Sequence, residues 1–165
     1  MPSRPEPGWA SRRPALRRVS FGSTSAVVTS IGLVVGFGSA QRATLIASLL
    51  IVGIADNLTD SLSVHLYQEA EGLEEHEAFT STVTNFVARL TITATFVALV
   101  ALLHDGWLVV TAIAWGFVVL GMLTVSLAHQ RHAPVRRELI RHYAIAVIVI
   151  ALSRAIGAYV TAHVT

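Results

Sequence analysis

Residues 53–77 read GIADNLTDSLSVHLYQEAEGLEEHE. The first half has the apolar content of a lipid-spanning helix yet carries Asp56 and Asp60, and the second half breaks into glutamates at 69, 71, 74, 75 and 77. A carboxylate inside a spanning helix is costly, so it normally sits against protein or in a water-filled path, where it is paired or used. The rest of the chain is read outward from here, as what encloses and neutralises two such acids.

The surroundings are those of a membrane protein. Of 165 residues, 53% are hydrophobic and only 13% charged, with a mean hydropathy of +0.63, well above a soluble domain of this length. The basic residues are all arginine, and there is no cysteine, which excludes thiolate metal sites, iron–sulfur clusters and disulfides. A net charge of +2, with arginines gathered at the ends of apolar runs, argues for topology and against nucleic-acid binding. No nucleophile–base arrangement or cofactor loop points to an enzyme.

About 20 apolar residues cross a bilayer, and five such stretches predict an all-α integral membrane protein with five transmembrane helices at 20–38, 43–66, 81–103, 107–127 and 139–164. Residues 1–19, rich in arginine and proline, read as a flexible tail. Ser11-Arg12-Arg13 ahead of an apolar run ending Gly38-Ser39-Ala40 has the look of a twin-arginine export signal. A cleaved signal would still leave four spanning stretches, so these arginines are read as flanks of a first span. That span, FGSTSAVVTSIGLVVGFG, is the least apolar of the five. Five arginines in the tail and Arg131, Arg136 and Arg137 between the fourth and fifth spans, against Arg42 alone in the opposite links, put the N-terminus in the cytoplasm and the C-terminus outside.

Asp56 and Asp60, at i and i+4, share one helix face with Asn57 and Thr59 close by. Two carboxylates one turn apart can ligate a hard or borderline divalent cation or exchange protons with it. At about 1.5 Å per residue from the cytoplasmic end, Asp60 lies roughly 9 Å deep and Asp56 roughly 15 Å. Arg89 in the third span, roughly 12 Å deep, is level with both, and a structural ion pair is the rival reading. Arg154 in the fifth span either snorkels outward or reaches Asp56. Glu71, Glu74 and Glu75, directly below the aspartates, form either an antechamber that concentrates cations or a solvated acidic face. His65, at the end of the second span, takes a minor part. Gly32 and Gly36 make a small-xxx-small pattern for close helix packing, within the subunit or across a dimer axis.

Phe21-Gly22 with Ser25, Ala26 and Thr29, followed by the glycine-rich 32–40, resembles the first-helix signature of the vacuolar iron transporter family, FGxxDGLVT. Gly53-Ile54-Ala55-Asp56 leading into Thr59-Asp60-Ser61-Leu62-Ser63 is similar to that family's second helix. The resemblance implies a homodimer in a bacterial-type inner membrane that moves Fe²⁺ or Mn²⁺ out of the cytosol in exchange for protons, along the subunit interface. It places Asp56 at an acidic position of the second helix. The family's first-helix aspartate falls at Ser25, its second-helix methionine at Val64, and its cytoplasmic glutamate-rich domain is reduced to residues 68–80, as in short forms. The competing expectation is a non-transporting scaffold of the same fold, in which Asp56, Asp60, Arg89 and Arg154 are structural ion pairs.

Overall fold

The structure is a computed structural model that describes residues 13–38, 40–70, 72 and 75–163, except for the side chains of 13–21, 75, 77 and 105. Five helices follow one another: α1 (Arg13–Gly36), α2 (Arg42–Ala70), α3 (Glu75–Leu102), α4 (Asp105–Arg131) and α5 (Val135–His163). Among the described residues there is no strand. Within α2 to α5, the segments Arg42–Ala70, Ala78–Leu102, Gly106–Arg131 and Val135–His163 are long and apolar enough to cross a membrane. In α1 the described side chains give an apolar stretch from Gly22 to Gly36.

The helices overrun the apolar runs that announce them. α2 continues to Ala70 and α3 starts at Glu75, because backbone hydrogen bonding extends past the hydrophobic residues into polar flanks. At the start of the chain, residues 13–19, expected as tail, belong to α1. Pro14 is compatible with this because a first-turn N–H has no intrahelical acceptor to lose. Residues 1–12 of the expected tail lie outside the described residues.

α1 runs through the middle and touches each of the other four helices. α2 packs on α3 and α1, while α5 packs on α1 and α4 and meets neither α2 nor α3 among the described residues. This position explains the composition of α1. Ser23, Ala26, Val27, Ser30, Ile31 and Val34 are all buried, so this face of the helix is covered by protein, and the small or polar side chains on it that lipid would disfavour are tolerated. The apolar core gathers around it from Val34, Leu45, Leu49, Phe96, Val100, Leu108, Ala112 and Leu120.

The Gly32/Gly36 pattern is used inside the subunit, where α5 lies on it. A Cβ added at Gly32 would stand 3.1 Å from both Ser153 Oγ and Val149 Cγ1. From the other side, Gly157 presses its backbone against Gly36, whose carbonyl carbon would be 3.0 Å from an added Cβ. At the far end of the α2–α3 pair, Arg42 donates from Nη1 to the Ala101 carbonyl (3.2 Å) and from Nη2 to the Leu103 carbonyl (2.6 Å). These carbonyls lie at and just past the C-terminal end of α3, where no later turn of the helix supplies a donor.

Between α4 and α5, Tyr143 stands edge-on to Phe117 with ring centroids 5.0 Å apart, and its hydroxyl donates to the Phe117 carbonyl at 3.2 Å. Tyr143→Phe keeps the ring contact and loses the hydrogen bond. It is expected to lower stability by about 0.5–1.5 kcal/mol, readable as a small drop in the thermal midpoint of the detergent-solubilised protein.

Candidate functional site

Asp56, Asn57 and Asp60 project from successive turns of α2 towards α3, and Arg89 on α3 answers all three. Its Nε donates to Asn57 Oδ1 at 2.6 Å, its Nη1 to Asp60 Oδ2 at 2.5 Å, and its Nη2 to Asp56 Oδ2. A planar guanidinium suits this task because its N–H groups are held in a fixed fork and can serve several acceptors at once. The two helices approach closely enough because Gly53, one turn before Asn57, packs against Thr93. A Cβ at Gly53 would come within 2.6 Å of Thr93 Cγ2.

Burial across the cluster is uneven. The Arg89 side chain is 1% exposed, whereas those of Asp56 and Asp60 are 43% and 38% exposed. The positive charge is thus sealed between helices, and the carboxylates sit on the rim of the interface with one negative charge in excess. Beside Asn57, a cavity of about 10 Å³ between α1, α2 and α3 is lined in part by Thr29, Ser30, Asp56, Asn57 and Thr93. That is room for about one water.

No family model, curated protein or solved structure matches this chain.

The arrangement therefore speaks through its own residues. The structure joins Asp56 and Asp60 to the same arginine, so neither aspartate is unpaired. Arg154 does not join them: it is exposed on α5, beside Val35, Gly36, Val109 and Gly157, with α1 between it and α2. Depth along a helix placed Arg154 within reach of Asp56; the order of packing around α1 removes it. Glu71 and Glu74 lie outside the described residues, as does the side chain of Glu75. Ser25 is exposed on α1 and Val64 half-buried on α2. Among the described residues, no three His, Asp or Glu side chains converge as a ligand set.

Sequence reasoning passed over the buried polar residues that flank the cluster. Asn85 (1% exposed), Ser81 (6%) and Gln68 (0%) continue it along α2 and α3, with Gln68 Nε2 donating to Ser81 Oγ at 3.0 Å. The signal was present: Ser81, Asn85, Arg89 and Thr93 recur at every fourth position, a polar stripe on a helix that is otherwise apolar.

Proposed function

We propose that this protein is a divergent short form of the vacuolar iron transporter type: a five-span homodimer that moves a divalent cation, Fe²⁺ or Mn²⁺, out of the cytosol in exchange for protons. The observation that carries this reading is the buried Arg89 holding two carboxylates that are themselves partly exposed. Carboxylate oxygens exposed on a spanning helix cannot rest in hydrocarbon, so they face water or a second subunit. Between them Arg89 occupies the place a cation would take, as a tethered counter-ion. An arriving divalent ion and Arg89 compete for the same oxygens, and so do protons, since a protonated carboxyl releases both. Mutual exclusion of this kind is the requirement for exchange. The oxygen-only donors, Asp56 and Asp60, suit hard or borderline ions. Glu71, Glu74 and Glu75 would gather the cation on the cytoplasmic side.

A second reading is favoured by the same guanidinium: with both carboxylates bound to it, the trio also serves as a purely structural lock in a non-transporting scaffold. Expression in a metal-sensitive host separates the two. The wild-type chain is expected to restore growth on toxic Fe²⁺ or Mn²⁺, and Asp56→Asn and Asp60→Asn to lose that protection while still reaching the membrane. Equal tolerance in all three strains and the empty vector would sink the transport reading.

A further inference from the structure

The polar side chains enclosed by α1, α2 and α3 occupy one half of the interface only. On α3, Ser81, Asn85, Arg89 and Thr93 follow one another and none is more than 6% exposed. Gln68, Ser61 and Asn57 run antiparallel to them on α2, and α1 adds Ser23 and Ser30. From Ser81 to Thr93 the column is roughly 18 Å long at about 1.5 Å per residue. Past Thr93 the buried residues turn apolar: Leu45, Leu49, Phe96 and Val100.

Elsewhere in the spans, hydroxyls close onto their own helix. Thr59 donates to the Ala55 carbonyl, Ser63 to Thr59, Thr84 to Thr80 and Thr91 to Val87, at 2.7–2.9 Å. Such groups need nothing further. Inside the column Thr93 still bonds the Arg89 carbonyl at 3.2 Å, but other side chains find no such partner. Asn57 Nδ2, Ser61 Oγ, His65 Nδ1 and both amide atoms of Asn85 are buried without a protein partner. An orphaned buried group costs about 1–3 kcal/mol, so five together call for a common partner that both donates and accepts. Water meets that need.

His65 lies on α2 between Ser61 and Gln68, with a quarter of its side chain exposed. Its Nε2 is 3.3 Å from the exposed carboxylate of Glu69, while Nδ1 is one of the orphaned buried atoms. A proton taken on one ring nitrogen is matched by one released from the other. The titratable and charged groups facing the column are Asp56, Asp60, His65 and Glu69 from α2 and Arg89 from α3; residues 22–38 of α1 hold none.

We propose that this column is a water-filled half-channel within one subunit, running from the α2–α3 turn to the Asp56–Arg89–Asp60 cluster and closed beyond it by Leu45, Leu49, Phe96 and Val100. Its use as the proton entry rests on the exchange reading above; its hydration does not.

The chain has no cysteine, so single cysteines report without background. The full-length protein is reconstituted in liposomes and exposed to Ag⁺, a small thiol-seeking ion. Thiols left unblocked are counted with a maleimide after denaturation. Ser61→Cys and Asn85→Cys are expected to be blocked about tenfold faster than Leu49→Cys and Val100→Cys, since reaction follows access. Adding Ser81→Leu to Asn85→Cys is expected to slow the blocking, because it narrows the mouth. Equal rates at all four positions overturn the half-channel, and an unchanged rate with Ser81→Leu overturns its entry at the α2–α3 turn. Fast blocking at 61 and 85 in a protein that confers no metal tolerance leaves the water path standing and removes transport.

Discussion

Arg89→Leu is expected to lower the thermal midpoint sharply and to cut the yield of folded protein in the membrane fraction. The substitution abandons Asp56 and Asp60 side by side, with no cation between them, and strips Asn57 Oδ1 of its donor. Removing one partner of a buried charge pair typically costs 3–5 kcal/mol, and here a single change breaks two pairs. The carboxylates are 43% and 38% exposed, which softens their desolvation, so about 3 kcal/mol, the lower end, is the fitting figure. That is still a large share of the stability of an ordinary domain. Restoring neutrality separates electrostatics from packing. The triple variant Arg89→Leu/Asp56→Asn/Asp60→Asn is expected to recover most of the folded yield, measured by size-exclusion chromatography and thermal midpoint in detergent. If the triple variant fails as badly as the single one, the role of Arg89 lies in its shape and its bond to Asn57, and charge neutralisation is not what holds α2 to α3.

Gly157→Val is expected to detach α5. An added Cβ at this position runs into the backbone of Gly36, which cannot step aside as a side-chain tip would. Among the described residues α5 packs on α1 and α4 alone, and Ala146 is its one fully buried residue. Overpacking costs about 1–3 kcal/mol where neighbours can adjust, and a backbone-to-backbone seat adjusts least. The expected readout is a lowered thermal midpoint together with new protease cleavage in the α4–α5 turn, near Ala133. Gly106→Val, at a glycine with no atom near enough to obstruct a Cβ, is the control and is expected to behave as wild type. If Gly157→Val matches that control, α5 does not depend on this seat.

The helices were legible because hydropathy and length are what lipid selects for, and the level of Arg89 beside the aspartates was legible from counting residues. What counting missed was the sharing. It treated the ion pairs as one acid to one base, whereas an i, i+4 pair places two carboxylates one turn apart, within the span of a single guanidinium. Arg154 shows the opposite limit: its depth was readable, but the interposition of α1 is a fact of three-dimensional packing order. The α1 helix was hard to read for a related reason. Hydropathy measures preference for lipid, and a helix surrounded by other helices is released from that preference, so Ser23 and Ser30 looked like weaknesses when they mark the centre. Ser81 and Asn85 were visible as a spacing pattern, but only their burial gives them weight.

The central place of α1 bears on how the chain is assembled. Of the five helices the first to be made, α1, is the one that leans on all the others. On leaving the ribosome it has few of the contacts that later justify its serines and glycines: α3 and α4 supply neighbours for Gly22 and Ile31, and α5, the last of the five to be synthesised, supplies the cover for Gly32 and Gly36. Synthesis and support thus run in opposite directions along this chain. A truncation before α5 removes more than the last helix, because it leaves the first one uncovered.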